Sequence, residues 1–299
     1  MQLQVGDLFD EFRVVRRLGA GAFSEVFLAH DRVLERQIVL KQLSPKLSQN
    51  DLEWNAFVNE AQVTASFFHP GIVTVHGLRM DASGESAVLV LEYMDGGTLR
   101  DLLRANGALD FDLVWRLCYQ VGNALTYLHT RGVIHRDIKP ENILYSRETG
   151  WFKISDFGLA YHPERSEFEI LNEGHPGTPA YMSPEQTSSS DVLTERSDLY
   201  TFVAVLYEAL TGHYYLPMDP DHVEREVLFE AIRGLAPAEL PVLNCTPALV
   251  DHLESVLLKG LAKHPLRRYP TVRRFTRAFT RTIENIELEL ETNDALTLD

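Results

Sequence analysis

The first third of the chain alternates short apolar runs with polar turns. Five runs rich in β-branched and aliphatic residues lie between about Phe12 and Tyr93, and Gly, Asp and Ser residues separate them. In chain order these runs are FRVVRRL, EVFLAH, QIVLKQL, IVTVHGL and AVLVLEY. Their length and spacing predict an antiparallel sheet.

One segment inside this region has a helical period instead. DLEWNAFVNEAQVTASFFH carries apolar residues three and four positions apart, and Asn50 or Asp51 is placed to cap its start. The apolar positions are Trp54, Phe57, Val58, Ala61 and Ala65. The pattern therefore predicts one helix among the strands.

After about residue 95 the apolar pattern becomes helical over longer stretches. FDLVWRLCYQVGNALTYLHTRG, RSDLYTFVAVLYEALTG and PALVDHLESVLLKGLA each predict a helix of ten or more residues. The glycine pair in Asp95-Gly96-Gly97 is interpreted as a flexible boundary between a small β-rich part and a larger α-rich part.

The last sixteen residues, ENIELELETNDALTLD, hold six acidic residues and no basic residue. We expect the frayed end of a last helix followed by a solvated tail. A linker into further domains is the alternative.

Composition and charge narrow the classes of function. With 299 residues and 45% hydrophobic content, the chain suits one large domain or two lobes that share a cleft. A net charge of −15 argues against nonspecific binding to nucleic acid or to an anionic membrane. The start lacks the pattern of a secretory signal, and the longest apolar stretch is short and contains Glu208. We expect a cytoplasmic protein without a membrane segment.

Two features of the β-rich part suggest a site for phosphate groups. Gly19 and Gly21 lie between two strand-like runs, where small residues let backbone N–H groups approach phosphate oxygens, although hairpins with glycines are common. Lys41 ends the apolar run QIVLK, and Glu60 on the following helix is its candidate partner. The alternative is a lysine that extends from an edge strand into solvent.

The α-rich part holds the densest polar motif of the chain. VIHRDIKPENILY sets Asp137, Lys139 and Asn142 among apolar residues, and SDFG follows with Asp156. Phosphoryl transfer requires an acceptor for the substrate hydroxyl proton, a cation on the moving phosphate and hard oxygen ligands for Mg²⁺. These residue types supply all of those parts.

The chain resembles the eukaryotic-type protein kinase family in four motifs, HRDIKPENILY, SDFG, GTPAYMSPEQ and RSDLYTFVAVLYEALTG. The residues of these motifs are most similar to those of bacterial serine/threonine kinases. The resemblance covers about Phe12 to Ile283. It implies an α+β bilobal fold in which residues 12–94 form a β-rich N-lobe with one main helix and residues 95–283 form a larger helical C-lobe. ATP would bind in the cleft, and residues 284–299 would be an acidic tail.

The resemblance also implies roles for single residues. Lys41 would hold the α- and β-phosphates while paired with Glu60, Asp137 would be the catalytic base, and Lys139 would steady the γ-phosphate. Asn142 and Asp156 would hold Mg²⁺, with Mn²⁺ as the alternative metal. The remaining nucleotide contacts implied by the resemblance are Leu18, Gly19, Ala20, Gly21, Val26, Val39, Leu91 as gatekeeper, the backbone of Glu92 and Met94, and Leu144.

The same resemblance points to protein substrates phosphorylated on serine or threonine. GTPAYMSPE matches the family's substrate-docking loop, and Thr178 beside Lys139 fits the serine/threonine branch. Glu185 should pair with Arg268. Three departures stand out: Ser24 replaces a loop glycine, which would make the loop less mobile, Val39 replaces the usual alanine over adenine, and Val203 replaces a helix glycine as a packing variation.

The loop between DFG and SPE departs furthest from the family pattern. Arg136 normally binds a loop phosphate, yet the expected phosphosite falls near Gly174, and Ser166 is the one hydroxyl-bearing serine or threonine between Gly158 and Thr178. Glutamates crowd the loop at Glu164, Glu167, Glu169 and Glu173. We hypothesise that Glu173 supplies the anion to Arg136; the alternative is a solvated acidic face.

Two other functions compete with an active kinase. A pseudokinase that acts as a scaffold normally lacks the lysine, the base or a metal ligand, and this chain keeps all three. A small-molecule phosphotransferase should lack the docking loop, which is present. The sequence leaves the oligomeric state and the protein substrate open.

Overall fold

The computed structural model describes residues 2–20, 24–43, 51–80, 86–161, 179–188, 192–241 and 245–296, with backbone only for residues 51, 52 and 293–296. The chain divides into two compact units. Unit 1 comprises Met1–Asp95 and Ser155–Gly158, and unit 2 comprises Gly96–Ile154 and Leu159–Asp299. Each unit has its own elements.

An antiparallel sheet forms the frame of unit 1, as the apolar runs predict. Its strands are β1 (Leu8–Phe9), β2 (Phe12–Ala20), β3 (Ser24–Asp31), β4 (Arg36–Leu43), β5 (Val75–Met80) and β6 (Ala87–Glu92). Among the described residues the spatial order is β1-β2-β3-β4-β6-β5. Every neighbouring pair is antiparallel, including β4 and β6, which are separated along the chain by α1 and β5.

The two faces of this sheet bury different apolar sets, because successive side chains of a strand point to opposite faces. One face carries a cluster that includes Phe12, Phe27, Ile38, Leu40 and Val90. The helix α1 (Asp51–Ala65) contributes to the other cluster. That cluster consists of Leu43, Phe57, Ala61, Ala87 and Leu89.

The helix predicted among the strands is confirmed, with one difference on its apolar face. Phe57 and Ala61 are buried as expected, whereas Ala65 is exposed and Val63 and Thr64 are buried in its place. The exposed Ala65 is the last residue of α1.

Helices dominate unit 2, again as predicted. They are α2 (Leu99–Asn106), α3 (Phe111–His129), α4 (Glu195–Thr211), α5 (Arg225–Gly234), α6 (Pro247–Gly260) and α7 (Val272–Leu296), and a small hairpin joins β7 (Ile143–Tyr145) to β8 (Phe152–Ile154). In the part of the chain that the structure describes, no helix has the length and apolar content needed to span a membrane.

Side-chain caps fix where several of these helices begin. Thr98 accepts a hydrogen bond from the backbone N–H of Asp101, and the Asp101 carboxylate accepts one from the Thr98 backbone, which is a capping box. Thr194 caps α4 in the same way with Ser197. Helix α4 therefore begins at Glu195, directly before the predicted helical stretch RSDLYTFVAVLYEALTG.

Gly96 and Gly97 have a steric role. A Cβ atom on Gly96 would lie 2.6 Å from the Tyr145 carbonyl oxygen, and Gly97 has a φ of 77°. Both features exclude most side chains. The close approach lets the Gly96 N–H donate to the Tyr145 carbonyl at 2.9 Å and the Tyr145 N–H donate to the Gly97 carbonyl at 2.9 Å.

The unusual Val203 is compensated on a neighbouring helix. Val203 in α4 is fully buried, and a Cβ atom on Gly260 in α6 would lie 2.7 Å from one of its methyl carbons. The glycine that lets the two helices approach therefore lies on α6. This contact supports the interpretation of Val203 as a packing variation.

The acidic end of the chain differs from the expected frayed helix and tail. Helix α7 continues through Leu296, so most of residues 284–299 are helical. Ile286 is fully buried, Glu284 accepts a hydrogen bond from the Trp115 indole at 3.0 Å, and Glu289 accepts one from the Thr246 backbone at 2.6 Å. These tertiary contacts stabilise the end of α7, and the local pattern of acidic residues gives no indication of them.

Candidate active site

Lys41 lies near the end of β4 and pairs with Glu60 of α1, as predicted. The Lys41 Nζ atom lies 2.6 Å from Glu60 Oε1. Both side chains are largely buried, at 14% and 10% exposure. Glu60 is on the inward face of α1 with Phe57 and Thr64, because helical residues three and four apart share a face.

Asp156 is the third charged member of this group. Its Oδ1 atom lies 3.7 Å from Lys41 Nζ, and its side chain is 48% exposed. The residue has a φ of 61°, an uncommon value for aspartate. The next residue, Phe157, is buried, and its ring lies 5.2 Å from that of Phe67, which follows α1.

The electrostatic balance in this group keeps Lys41 charged. Burial alone opposes the ammonium form, but the negative charges of Asp156 and Glu60 outweigh it and raise the pKa of Lys41 above its ordinary value. The carboxylate of Asp156 is half-exposed, so the Lys41 ammonium is accessible on that side. A further anion, such as a phosphate, can bind there.

The strand register places the predicted adenine contacts of unit 1 on the lysine's side of the sheet. Val26 is opposite Lys41, and Val39 is opposite Leu91. All three aliphatic residues are half-buried. Leu91 also packs against the apolar cluster beneath α1, which fixes its position.

The glycine-containing loop is described only on its approach. Leu18, Gly19 and Ala20 are exposed residues at the end of β2, and a Cβ atom on Gly19 would meet nothing within 4 Å. Gly21 lies outside the described residues. Ser24 is buried and opens β3 opposite Leu43.

Glu92 and Met94 follow the gatekeeper position along the chain. The Glu92 N–H donates to the Thr74 carbonyl at 3.0 Å, and its carboxylate accepts from the Thr74 N–H at 2.5 Å. Met94 is buried. Because this Glu92 N–H already has an acceptor, a contact from Glu92 to a ligand would come from its carbonyl.

In unit 2 the segment from His135 to Asn142 brings two of the predicted residues, Lys139 and Asn142, to the carboxylate of a third, Asp137. Lys139 Nζ lies 2.7 Å from Asp137 Oδ2. The Asn142 side-chain amide donates to the same oxygen and to the Asp137 carbonyl, each at 2.9 Å. Leu144 follows on β7, half-buried and bridged to Thr98. The Asp137 carboxylate is therefore held in one orientation next to a cation.

Asp198, which sequence reasoning missed, fixes the backbone of this segment. Its fully buried carboxylate accepts from the N–H groups of His135 and Arg136, each at 2.8 Å, and contacts His129 Nε2 at 2.8 Å. Burial opposes its charge, but the His129 hydrogen bond and the backbone donors hold the pKa of Asp198 below its ordinary value. The available signal was an acidic residue placed directly before the apolar run LYTFVAVLY of α4.

Arg136 occupies a strained position between the docking loop and Tyr161. Its φ is 68°, its carbonyl accepts from the Gln186 side chain at 2.7 Å, and its guanidinium lies 5.1 Å from the Tyr161 ring centre. The hypothesised anion Glu173, the other loop glutamates, Ser166 and Thr178 lie outside the described residues.

The predicted pair Glu185–Arg268 is confirmed, and it is fully buried. Arg268 donates to the two carboxylate oxygens of Glu185 at 2.7 and 2.8 Å. Its three other N–H groups donate to the carbonyls of Ala262, Arg196 and Lys263 at 2.7, 2.7 and 3.0 Å. All five donors of the guanidinium are satisfied, so this pair anchors the docking loop to the segment before α7.

A second cluster, centred on Arg100, was also missed. Arg100 Nε donates to Glu141 at 2.8 Å, and its Nη1 donates to Glu208 at 2.6 Å. Its Nη2 donates to the Tyr181 hydroxyl, which in turn donates to Glu208. These residues border a cavity of about 760 Å³ within unit 2, together with Tyr214 of the α4–α5 connection. Glu208 interrupts an apolar run, which was the only signal in the sequence.

Comparison with known proteins places these features in a family. The protein kinase domain family matches residues 12–273. Serine/threonine-protein kinase PknB of Mycobacterium leprae is 34% identical over 266 residues, which cover 88% of this chain and 42% of that protein. Serine/threonine-protein kinase PrkC of Bacillus subtilis is 31% identical over 260 residues, which cover 87% of this chain and 38% of that protein.

A solved structure agrees with the fold. The crystal structure of a double mutant of the PknI kinase domain from Mycobacterium tuberculosis has a TM-score of 0.69 and 26% identity, covering 95% of this chain and all of that one. The chain spans less than half of the length of the curated relatives described above. It belongs to the protein kinase domain family, and the predicted α+β protein kinase fold is confirmed.

Proposed function

We propose that this chain is an ATP-dependent serine/threonine protein kinase with Asp137 as its catalytic base. The observation that carries the proposal is the Asp137 carboxylate, oriented by Asn142 at 2.9 Å and accompanied by Lys139 at 2.7 Å. A fixed carboxylate next to a cation is the arrangement that accepts a hydroxyl proton while a neighbouring phosphoryl group is stabilised.

Each residue of unit 2 has a defined task in this proposal. Asp137 accepts the proton of the substrate hydroxyl as that oxygen attacks the γ-phosphorus, while the bond from this phosphorus to the β–γ bridging oxygen breaks and ADP leaves. Lys139 contributes positive charge to the phosphoryl oxygens, and Asn142 keeps Asp137 from rotating away. Asp198 holds the backbone that carries them, because it binds two consecutive N–H groups of the segment.

The residues of unit 1 position the nucleotide in this proposal. Lys41, kept charged by Glu60 and Asp156, binds the α- and β-phosphates. Val26, Val39 and Leu91 offer an aliphatic surface for adenine. The further contacts in this proposal are Leu18, Gly19, Ala20 and Gly21 near the phosphates, the backbone of Glu92 and Met94 at the adenine edge, and Leu144 from unit 2.

The donor set fits Mg²⁺ bound with a nucleotide, with Mn²⁺ as a chemical substitute. Asp156 presents a half-exposed carboxylate and Asn142 an amide group, which are the hard ligands that Mg²⁺ takes together with phosphate oxygens. In this proposal the nucleotide phosphates supply the remaining ligands of the metal. When bound, the metal neutralises charge on the transferred phosphate.

Serine or threonine residues of proteins are the proposed acceptors. The relatives are named serine/threonine-protein kinases. The Glu185–Arg268 pair anchors the segment that resembles a docking loop, and the cavity beside Tyr181 offers space for part of a substrate chain. A pseudokinase function has no observation in its favour, since Lys41, Asp137 and Asp156 are all present.

Transfer of labelled γ-phosphate from ATP to a generic basic protein and to the chain itself tests the proposal, with Mg²⁺ or Mn²⁺ present. We expect phosphoserine or phosphothreonine, and a loss of at least about 100-fold in Asp137→Asn. Asp112→Asn, an exposed aspartate on α3, is the matched control. ATP binding without transfer by the unaltered chain would contradict the proposal in favour of a scaffold.

A further inference from the structure

The outward face of α7 separates its charges into two blocks. Its first half exposes four arginines, and its second half exposes glutamates. The basic block is defined as Arg273, Arg274, Arg277 and Arg281. The acidic block is defined as Glu284, Glu287 and Glu291, of which Glu287 is half-buried. The centres of the blocks are roughly 17 Å apart along the helix at 1.5 Å per residue.

The basic block has no acidic partner among the residues that the structure describes. Within the described part of the chain, none of its four guanidinium groups forms an ion pair. Arg273, Arg277 and Arg281 are spaced four residues apart, so like charges are neighbours on the helix surface. In a chain with a net charge of −15, such a surface stands out.

The acidic block is also crowded by like charges. Asp110 and Asp112 at the start of α3 lie close to it, and Arg116 balances Asp112 at 2.8 Å. Burial and the charges of Asp112, Glu291, Asp110 and Glu284 raise the pKa of Glu287.

The order of the blocks also opposes the helix dipole. Negative side chains are favoured near a helix N-terminus and positive ones near its C-terminus, whereas α7 begins with arginines and carries glutamates towards its end. The charge pattern therefore does not stabilise the isolated helix. A role outside the protomer accounts for it better.

An aromatic pair lies beside the junction of the blocks. Trp115 and Tyr119 of α3 stack with ring centres 5.0 Å apart, and Tyr119 is 47% exposed. The Trp115 indole donates to Glu284, and a Cβ atom on Gly122 would contact Thr276. Later residues of α3 therefore lie beside earlier residues of α7, so the two helices are antiparallel. Tyr119 lies at about the level of Thr280. Exposed aromatic residues are frequent anchors of protein interfaces.

These features select one kind of occupant. A nucleic acid or an anionic bilayer lying along α7 would be attracted by the basic block and repelled by the acidic block. The partner must carry an acidic block opposite the arginines and a basic block opposite the glutamates. The outward face of α7 itself has this pattern when its direction is reversed.

We propose that two copies of this chain associate through α7 in an antiparallel, two-fold arrangement. Such an isologous contact uses the same surface on both protomers. With the axis near residue 282, Arg273 of one copy meets Glu291 of the other, and Arg277 meets Glu287. The Trp115–Tyr119 pairs lie near the axis and bury apolar surface there.

Paired charge-reversal variants of the full chain test this arrangement. The acid-only variant carries Arg273→Glu and Arg277→Glu, and the base-only variant carries Glu287→Lys and Glu291→Lys. Sedimentation in low salt should show a dimer for the unaltered chain, weaker by about tenfold or more in 0.5 M NaCl. Each variant alone should be monomeric, because like charges would face each other across the axis. An equimolar mixture should form a heterodimer, because positions 273 and 277 of each variant then face residues of opposite charge at positions 291 and 287 of the other.

A matched control separates this contact from a general effect of charge. Arg13→Glu with Arg32→Glu changes the net charge by the same amount as the acid-only variant, but at exposed positions of unit 1. This control should leave the dimer intact. Circular dichroism verifies that each variant is folded. A monomeric unaltered chain in low salt, a dimeric acid-only variant, or a mixture that remains monomeric would each overturn the proposal.

Discussion

The ion pair of unit 1 and the ion pair of the docking loop differ in how completely they are satisfied. Glu185 and Arg268 are buried, and each guanidinium N–H has an acceptor within the chain. Lys41 and Glu60 are also largely buried, yet a third charge, Asp156, lies 3.7 Å from the lysine with nearly half of its side chain exposed.

The difference indicates separate tasks. A buried pair without spare donors holds the shape of the backbone around it, and removing one partner leaves an uncompensated charge. A pair with an exposed third member keeps capacity for a ligand. We therefore expect changes at the Glu185–Arg268 pair to act on stability and changes at the Lys41–Glu60 pair to act on turnover.

The largest expected effect is on stability at the docking loop. Arg268→Ala leaves Glu185 buried without a cation and frees three carbonyls, so the free energy of unfolding should fall by about 3–5 kcal/mol. Urea denaturation measures it. Arg267→Ala, the exposed neighbour, should change stability by less than about 0.5 kcal/mol. Equal effects of the two substitutions would remove the distinction between the pairs.

Lys41→Met should act on turnover. Phosphoryl transfer should fall by about 10²–10³-fold because the cation for the phosphates is lost. The free energy of unfolding should change by only about 1–2 kcal/mol, since Glu60 can take up a proton. Kinetics and denaturation of the same protein sample give both values, and Lys259→Met on the surface of α6 is the control. A loss of stability as large as that of Arg268→Ala would contradict this prediction.

Asp198→Asn should lower the free energy of unfolding by less than Arg268→Ala does. The amide cannot replace a carboxylate that accepts from His135, Arg136 and His129, so stability should fall by about 2–3 kcal/mol at neutral pH.

The pH dependence of that difference follows from the lowered pKa of Asp198. A depressed pKa in the folded state contributes stability above the ordinary aspartate range, and this contribution is lost as pH falls through the folded pKa. The gap between the unaltered chain and Asp198→Asn should therefore narrow below about pH 4. A constant gap from pH 7 to pH 3 would argue against the carboxylate as the cause.

The smallest expected effect concerns Lys263, which lies beside Arg268. Burial and the charge of Arg268 lower the pKa of Lys263 to about 8, whereas that of Lys41 is raised. The unfolded chain then binds more protons than the folded chain between pH 8 and the ordinary lysine pKa, so stability rises with pH in that window. Lys263→Met should lack this rise, which amounts to about 1 kcal/mol. Denaturation at pH 7.5 and pH 10 measures it.

Local patterns predicted much of the fold and part of the site. The strand runs, the helix containing Glu60 and the long helices of unit 2 were predicted because each buries an apolar set with its own period. The Lys41–Glu60 and Glu185–Arg268 pairs were predicted from motifs. The end of α7 was not predicted, because the acid-rich segment 284–291 gave no local reason for a helix to continue.

The sequence by itself determined the protein kinase family, the order of the elements and the candidate site residues, because these depend on residue types and spacings within short segments. Tertiary structure alone decided that Asp198 holds the backbone of His135 and Arg136, that Arg100 joins Glu141 to Glu208, and that Gly260 accommodates Val203. These contacts join residues about 40 to more than 100 positions apart. No local pattern encodes which distant partner satisfies a buried charge or fills a gap between helices; packing of the whole unit selects it.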